Sequence, residues 1–166
     1  MSLEIYKAGN SFFSNRQEAI ALASKSSLGE VKTGKVLYSI YEVLYLLENK
    51  KAMLLSSKKE EIKFNELAKK ANSDTYAVFK DLRNKGNVLK EGLKFGADFR
   101  VYEKGDKPGK AHAKYLLYII SGKKMNVLDF AAKARIAHST NKLLLLAIVD
   151  SEGDVSYYEV RWKAGN

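Results

Sequence analysis

The sequence predicts a mixed α/β (α+β) fold in two parts: a small N-terminal α/β domain over residues 1–86, and a C-terminal domain over residues 87–166 with a mixed central sheet flanked by helices. Apolar residues at helical spacing dominate the first part, whereas short apolar runs between glycines and charged turns dominate the second. The run 143–149, LLLLAIV, is apolar on both faces. Because such a run is typical of a strand covered on both sides, it marks the middle of the C-terminal sheet.

The N-terminal domain begins with two short signals, a strand-like segment at residues 3–7 and a helical one at residues 16–24. Over residues 35–50 the apolar side chains recur at helical spacing, at Leu37, Ile40, Leu44 and Leu47. This spacing predicts one amphipathic helix over the whole stretch, with its apolar stripe in the core.

A strand and two helices are predicted for the rest of this domain, at residues 52–57, 64–71 and 74–85. Asn72 or Ser73 is the expected N-cap of the second helix, and Gly86 is its expected stop.

A β-hairpin is predicted at the start of the C-terminal domain. Apolar and polar residues alternate over 97–102, as in a half-buried strand, with Phe99 and Val101 on one face and Asp98, Arg100 and Tyr102 on the other. Residues 103–110 contain two glycines and the only proline, so they form a loop, and the apolar run 115–120 is the second strand.

Tyr102 and His112 stand at the two ends of this loop. Residues opposed on neighbouring strands approach within roughly 5 Å at Cβ, so the two side chains are expected to face each other across the mouth of the hairpin. A phenol and an imidazole held that close can pass protons to and from one substrate.

The remainder of the domain is predicted as a helix, a strand and a hairpin. The helix starts near Asn126, with Asp129 in a capping-box-like position, and continues through residues 127–139. After the strand 143–149 come a turn at 150–154 and a last strand at 155–162.

Composition narrows the possible partners. Lys and Arg number 29 against 19 Asp and Glu, a formal charge of +10, which favours a polyanion: nucleic acid or an anionic membrane surface. There is no cysteine and there are only two histidines without clustered carboxylates, so we expect no metal site and no cofactor. The sequence has no membrane-spanning run and no signal peptide, and an intracellular, cytoplasmic and soluble protein is expected.

A winged-helix nucleic-acid-binding protein without catalytic activity is the alternative hypothesis. Two short helices followed by a hairpin fit that fold, and Lys80, Arg83 and Lys85 would lie in a major groove, with residues 87–92, NVLKEG, as the wing. Basic residues on a helix are, however, commonly just its solvated face.

Three stretches in combination resemble the catalytic domain of archaeal tRNA-splicing endonucleases (tRNA-intron lyases), with a match in order and spacing over residues 36–166. They are GADFRVYEKG at 96–105, His112 ten residues after the tyrosine, and ARIAHSTNKLLLLAIVDSEGD at 134–154. The resemblance implies that Tyr102, His112 and Lys142 are catalytic. Without it Lys142 is one lysine among many.

The implied reaction is RNA cleavage by the RNA's own 2′-OH, without metal, to leave 2′,3′-cyclic phosphate and 5′-OH ends. It requires a base, an acid and a cation for the charge that grows on the phosphate. Tyr102 is the expected base, His112 the acid and Lys142 the electrostatic stabiliser. A phenol is a poor base near neutrality, so Tyr102 needs a nearby cation or acts as a relay, and Lys142 is the residue expected to serve this need as well.

The resemblance also implies partners: precursor tRNA with a bulge-helix-bulge, and a homotetramer or a heterotetramer with a related structural subunit. It makes Arg135 a residue that stacks on bulged bases, and it makes the acidic turn, with Asp150, Glu152 and Asp154, a contact with another subunit. The alternatives are a surface arginine and a plain hairpin turn.

The other candidates rest on residue type alone. Arg161 and Trp162 would form a stacking pair for RNA, or Trp162 would anchor a core or an interface. His138 follows Phe130 and Ala134 on an apolar helix face, which predicts a buried structural histidine. The loop GDKPGK at 105–110 is one residue short of a Walker motif and has Ala111 where Ser or Thr would hold magnesium.

Overall fold

The computed structural model describes residues 2–165, and the chain divides into two units. The first ends at Tyr76 and the second begins at Ala77, so the division falls inside helix α4, Ser73–Asn84. The boundary expected from the sequence, 86/87, lies just after the same helix. None of the helices within residues 2–165 is long and apolar enough to cross a membrane.

The N-terminal unit contains a six-stranded mixed sheet in the order β3-β4-β2-β1-β5-β6. Its strands are β1 (Leu3–Ala8), β2 (Ser11–Ser14), β3 (Glu30–Lys32), β4 (Lys35–Tyr38), β5 (Ala52–Leu55) and β6 (Glu61–Ile62). Its helices are α1 (Gln17–Ser26), α2 (Ile40–Glu48) and α3 (Phe64–Ala68). Strands β1 and β5 are parallel, and the other pairs are antiparallel.

Helices cover one face of this sheet. Helix α1 lies against β3 and β4, and α2 lies against β5. Because side chains alternate along a strand, every second residue faces the core, and Ile5, Val36 and Leu54 are fully buried there. The residues between them point to the opposite face.

The helix predicted over residues 35–50 begins only at Ile40, which corrects its first turn. Residues 35–38 are instead strand β4, paired with β2 and β3. The helix starts at a capping box, in which the Ser39 side chain accepts from the Glu42 N–H and the Glu42 carboxylate accepts from the Ser39 N–H. Glu42 also accepts the Gly29 N–H at 2.9 Å, which ties the helix to the loop before β3.

The C-terminal unit contains a five-stranded mixed sheet in the order β11-β10-β9-β8-β7, so the predicted fold class is confirmed. Its strands are β7 (Val88–Glu91), β8 (Phe99–Tyr102), β9 (Tyr115–Ser121), β10 (Leu143–Val149) and β11 (Val155–Val160). Its helices are α5 (Val127–Ser139) and a single 3-10 turn, Leu93–Phe95. Strands β9 and β10 are parallel, and the other pairs are antiparallel.

Both faces of this sheet are covered, as the run LLLLAIV predicts. On one face Ala134 and Ala137 of α5 pack in a core cluster with β9 and β10. On the other face Phe79 of α4 lies against Phe99, with ring centroids 5.8 Å apart, and the Tyr157 hydroxyl donates to Asp81 at 2.6 Å. Residues 144–147 of β10 are consequently buried.

The winged-helix arrangement is not what the structure contains. Residues 88–91 form β7, which pairs with β8 as an edge strand of the five-stranded sheet. Val88 and Leu89 of this strand are buried, so the segment is part of the domain core and not a free wing. Two basic residues at the end of α4 are engaged locally: Lys85, just after the helix, pairs with Asp81 at 2.7 Å, and Arg83 donates to the Asn87 carbonyl at 3.1 Å.

Candidate active site

Three chain segments meet at one end of the C-terminal sheet because of strand direction. Tyr102 is the last residue of β8, which runs antiparallel to β9, so it lies beside the start of β9. Strand β10 is parallel to β9, with Leu143 paired to Tyr115, so Lys142 lies at that same end. Two 2.9 Å hydrogen bonds close the junction, from Leu143 N–H to the Lys114 carbonyl and from Lys114 N–H to the Val101 carbonyl.

A pocket of about 360 Å³ opens at this junction. Tyr102, His112 and Lys142, which the sequence singles out, all line it. Its other lining residues are Lys94, Phe95, Arg100, Gly109, Lys110, Ala111 and Ala113. The pocket therefore combines a phenol, an imidazole and several cations in one hollow.

Tyr102 is held in place by its neighbours. Its side chain is buried with Val88 and Ala113, and its carbonyl accepts from the Asn87 amide at 3.1 Å. Its hydroxyl accepts from Arg100 Nη1 at 3.4 Å, while Arg100 Nε donates to the Glu91 carbonyl at 2.9 Å. The guanidinium is thus fixed beside the phenol.

Lys142 brings a partly desolvated ammonium to the pocket. Its Nζ donates to the Thr140 carbonyl at 3.0 Å and lies 5.2 Å from the centre of the Phe95 ring. Partial burial lowers the pKa of Lys142, and the positive charges of Arg100 and Lys94 lower it further. A bound anion would relieve this repulsion between cations.

His112 presents an exposed imidazole at the edge of the pocket. The loop before it is shaped by backbone contacts, since the Lys110 and Ala111 N–H groups both donate to the Lys107 carbonyl. A large substrate can therefore reach His112 from solvent.

Arg100, Lys94 and Phe95 are pocket residues that were not singled out in the sequence. A signal for Arg100 was present, because strand alternation places it on the face of Tyr102. Lys94 and Phe95 belong to the 3-10 turn, and their approach to Lys142 depends on tertiary packing that has no local pattern.

The candidate RNA-contacting residues lie outside this pocket. Arg135 is exposed on α5, and Arg161 pairs with Glu159 at 3.0 Å. Trp162 lies against His138, with ring centroids 4.4 Å apart. The prediction that His138 is buried is wrong, because α5 turns Ala134 and Ala137 to the core and leaves the histidine exposed.

The acidic turn between β10 and β11 is exposed. Asp150 Oδ1 accepts the N–H groups of Glu152 at 2.8 Å and Asp154 at 3.0 Å. Asp150 therefore shapes the turn from within, while the carboxylates of Glu152 and Asp154 remain on the surface. Within residues 2–165, no three His, Asp or Glu side chains are grouped so as to hold a metal ion.

Comparison with known proteins gives the family. Residues 72–157 match the model of the tRNA intron endonuclease catalytic C-terminal domain. The chain belongs to the tRNA-splicing endonuclease family. It is 39% identical over 145 residues to the tRNA-splicing endonuclease of Methanothermobacter thermautotrophicus, with 85% of each chain covered. It is 37% identical over 168 residues to that of Pyrococcus furiosus, with 96% of each chain covered.

Membership in the tRNA-splicing endonuclease family makes this an RNA-cutting enzyme of tRNA processing, and archaeal relatives agree with the resemblance found in the sequence. The matched region contains the strand ends that form the pocket, together with α5 and the acidic turn.

Proposed function

We propose that this endonuclease cuts bulge-helix-bulge RNA at intron–exon junctions, by metal-independent attack of the 2′-OH on the adjacent phosphate. The observation that carries the proposal is the shared pocket of Tyr102, His112 and Lys142. None of the described residues that line it is acidic, so its charge favours a phosphodiester.

Each reacting atom has a matching group in the pocket. Tyr102 takes the proton of the 2′-OH as that oxygen bonds to phosphorus, and the bond from phosphorus to the 5′-oxygen breaks. His112 gives its proton to the departing 5′-oxygen, and Lys142 stabilises the charge on the non-bridging oxygens. The products carry a 2′,3′-cyclic phosphate and a 5′-OH.

Arg100 supplies the cation that a tyrosine base requires. Its Nη1 lies 3.4 Å from the Tyr102 hydroxyl, so a positive charge stands beside the oxygen that takes the proton. Arg100 acts here through Tyr102 as a positioning residue, and its second contact, to the Glu91 carbonyl, limits its movement.

Assembly into a homotetramer, or a heterotetramer with a related structural subunit, is part of the proposal. Two cuts in one intron need two active sites at a fixed separation. Asp150, Glu152 and Asp154 are the candidate contacts with another subunit, because all three are exposed in the acidic turn. Arg135, Arg161 and Trp162 are the candidate contacts with RNA bases.

The test is cleavage of a bulge-helix-bulge RNA by the purified protein in EDTA. A matched substrate with a 2′-deoxy residue at the junction should remain intact, because the nucleophile is missing. Cleavage of the deoxy substrate, or a rate that disappears in EDTA and returns with magnesium, would overturn the mechanism. Light scattering of the same preparation measures the assembly.

A further inference from the structure

The N-terminal sheet carries a row of large side chains on the face opposite its helices. Phe13 pairs with Tyr6 on one side and with Leu37 on the other, and Tyr6 pairs with Leu55. Cross-strand partners point to the same face, so these four side chains form a continuous row across β4, β2, β1 and β5. We call it the aromatic row.

The aromatic row is accessible. Leu37 is 37% exposed, and Tyr6 and Phe13 are both half-buried. The Tyr6 and Phe13 ring centroids are 6.0 Å apart with a tilt of 34°. The two rings border a hollow of about 600 Å³, which is also lined by Asn15, Arg16 and Lys59.

Cations surround the two rings. Lys35 Nζ lies 5.3 Å from the centre of the Phe13 ring, and Arg16 and Lys59 reach the same hollow. The nearby Glu4 carboxylate accepts from the Tyr6 hydroxyl at 2.7 Å and pairs with Arg16, so its charge is compensated locally.

Carboxylates also mark the ends of the row. Glu30 pairs with Leu37 and Glu61 with Leu55 on the two edge strands, and Glu30 is bonded to Lys32 at 3.1 Å. The aromatic centre with its cations is thus bounded on both sides. This pattern favours a ligand that places π-faces at the centre of the sheet.

We propose that the aromatic row is a binding site for single-stranded RNA, separate from the catalytic pocket. Unpaired bases would stack on Phe13 and Tyr6, and the phosphates would contact Lys35, Arg16 and Lys59. Aromatic side chains on an open sheet, flanked by cations, suit unpaired nucleotides because every base offers a π-face. An apolar protein partner would not use the cations that surround the rings.

The test measures binding of a fluorescent, 2′-O-methylated oligouridine by the full-length protein, because such an RNA resists cleavage by its own 2′-OH. Phe13→Leu keeps apolar bulk but loses the ring, and should weaken binding about 5- to 10-fold. Phe13→Tyr should bind like the unchanged protein. Val31→Ala removes an exposed apolar side chain of the same sheet, outside the row, and is the matched control.

A phosphate contact gives a second readout. Lys35→Ala should lower the slope of log affinity against log salt concentration by about 1. Thermal unfolding verifies that each variant is folded.

Equal binding by Phe13→Leu and the unchanged protein would overturn the site. A change in particle mass for Phe13→Ala, without a change in RNA binding, would assign the row to a protein interface and also overturn it. Cleavage of a minimal bulge-helix-bulge RNA without single-stranded ends should be unchanged in Phe13→Leu, so this site and the catalytic proposal can fail separately.

Discussion

The two sheets of this protein place a tyrosine in different surroundings. In the N-terminal unit the helices cover one face, and Tyr6 lies in the middle of a strand on the open face. In the C-terminal unit both faces are covered, and Tyr102 is buried at the end of β8. The open face suits broad stacking contacts, whereas the strand end, where loops meet, suits a small pocket with directed groups.

The charges around Tyr6 and Tyr102 also differ. At Tyr6 the neighbouring carboxylate of Glu4 compensates Arg16. At Tyr102 the lining side chains of Arg100, Lys94 and Lys142 are cationic, and among the described residues of that pocket none is acidic. Uncompensated cations are costly for folding but useful for an anionic transition state. These charges favour the proposed chemistry at the second region and the proposed binding at the first.

Among substitutions of the pocket cations, Lys142→Ala is expected to lower the cleavage rate most. Loss of the ammonium removes stabilisation of the transition state, and the single-turnover cleavage rate should fall about 100- to 1,000-fold. Lys142→Arg should retain part of the rate, and Lys123→Ala, in the exposed loop between β9 and α5, should retain all of it. A near-normal rate for Lys142→Ala would remove Lys142 from the mechanism.

Arg100→Ala is expected to lower the cleavage rate about 10-fold, because its contact with the phenol is long at 3.4 Å. Arg100→Lys should be intermediate, and added guanidinium should partly restore the alanine variant. If added guanidinium does not raise the cleavage rate of Arg100→Ala, although this variant binds RNA with unchanged affinity, Arg100 has only a structural role in the strand.

Lys94→Ala tests the electrostatic coupling within the pocket. Burial, Arg100 and Lys94 all lower the pKa of Lys142, so removing Lys94 should raise that pKa. The Lys142 ammonium then persists to higher pH, and the alkaline fall of the cleavage rate should move upward. The other titratable side chains that line this pocket are Tyr102, Lys110 and His112. An unchanged or downward-shifted alkaline limb would contradict the coupling.

The smallest effect concerns stability and only the N-terminal unit. The Tyr38 hydroxyl is buried and finds no hydrogen-bond partner among residues 2–165, and burial, with Glu42 nearby, raises its pKa to about 12. Tyr38→Phe should stabilise the protein by about 1 kcal/mol, because the desolvated hydroxyl is removed. Denaturant unfolding measures this change, and a loss of stability would show that the hydroxyl has a partner in solution.

Much of the C-terminal unit was predictable because its signals are local. Alternation around Tyr102, the glycines of the following loop and the apolar run of β10 each predict an element, and all three are present. Their meeting point follows from the parallel pairing of β9 and β10, which no local pattern encodes.

The N-terminal unit was harder to predict from sequence, because the helical spacing of one element continues into the neighbouring strand. Leu37 continues the helical spacing of α2 but belongs to β4. The turn Thr33-Gly34 has positive φ at both residues, as a two-residue hairpin turn requires, and it marks the start of β4. The capping box of Ser39 and Glu42 marks the start of α2. The aromatic row depends on register across four strands, which the sequence does not display.

The most direct test of the catalytic claim is the single-turnover rate of His112→Ala on a bulge-helix-bulge RNA, measured with the RNA affinity of the same variant. Loss of the general acid should slow cleavage about 100- to 10,000-fold, while affinity remains nearly unchanged. A variant that cuts at the rate of the unchanged protein, or that fails only because it no longer binds RNA, would contradict the assignment of His112 and the shared-pocket mechanism with it.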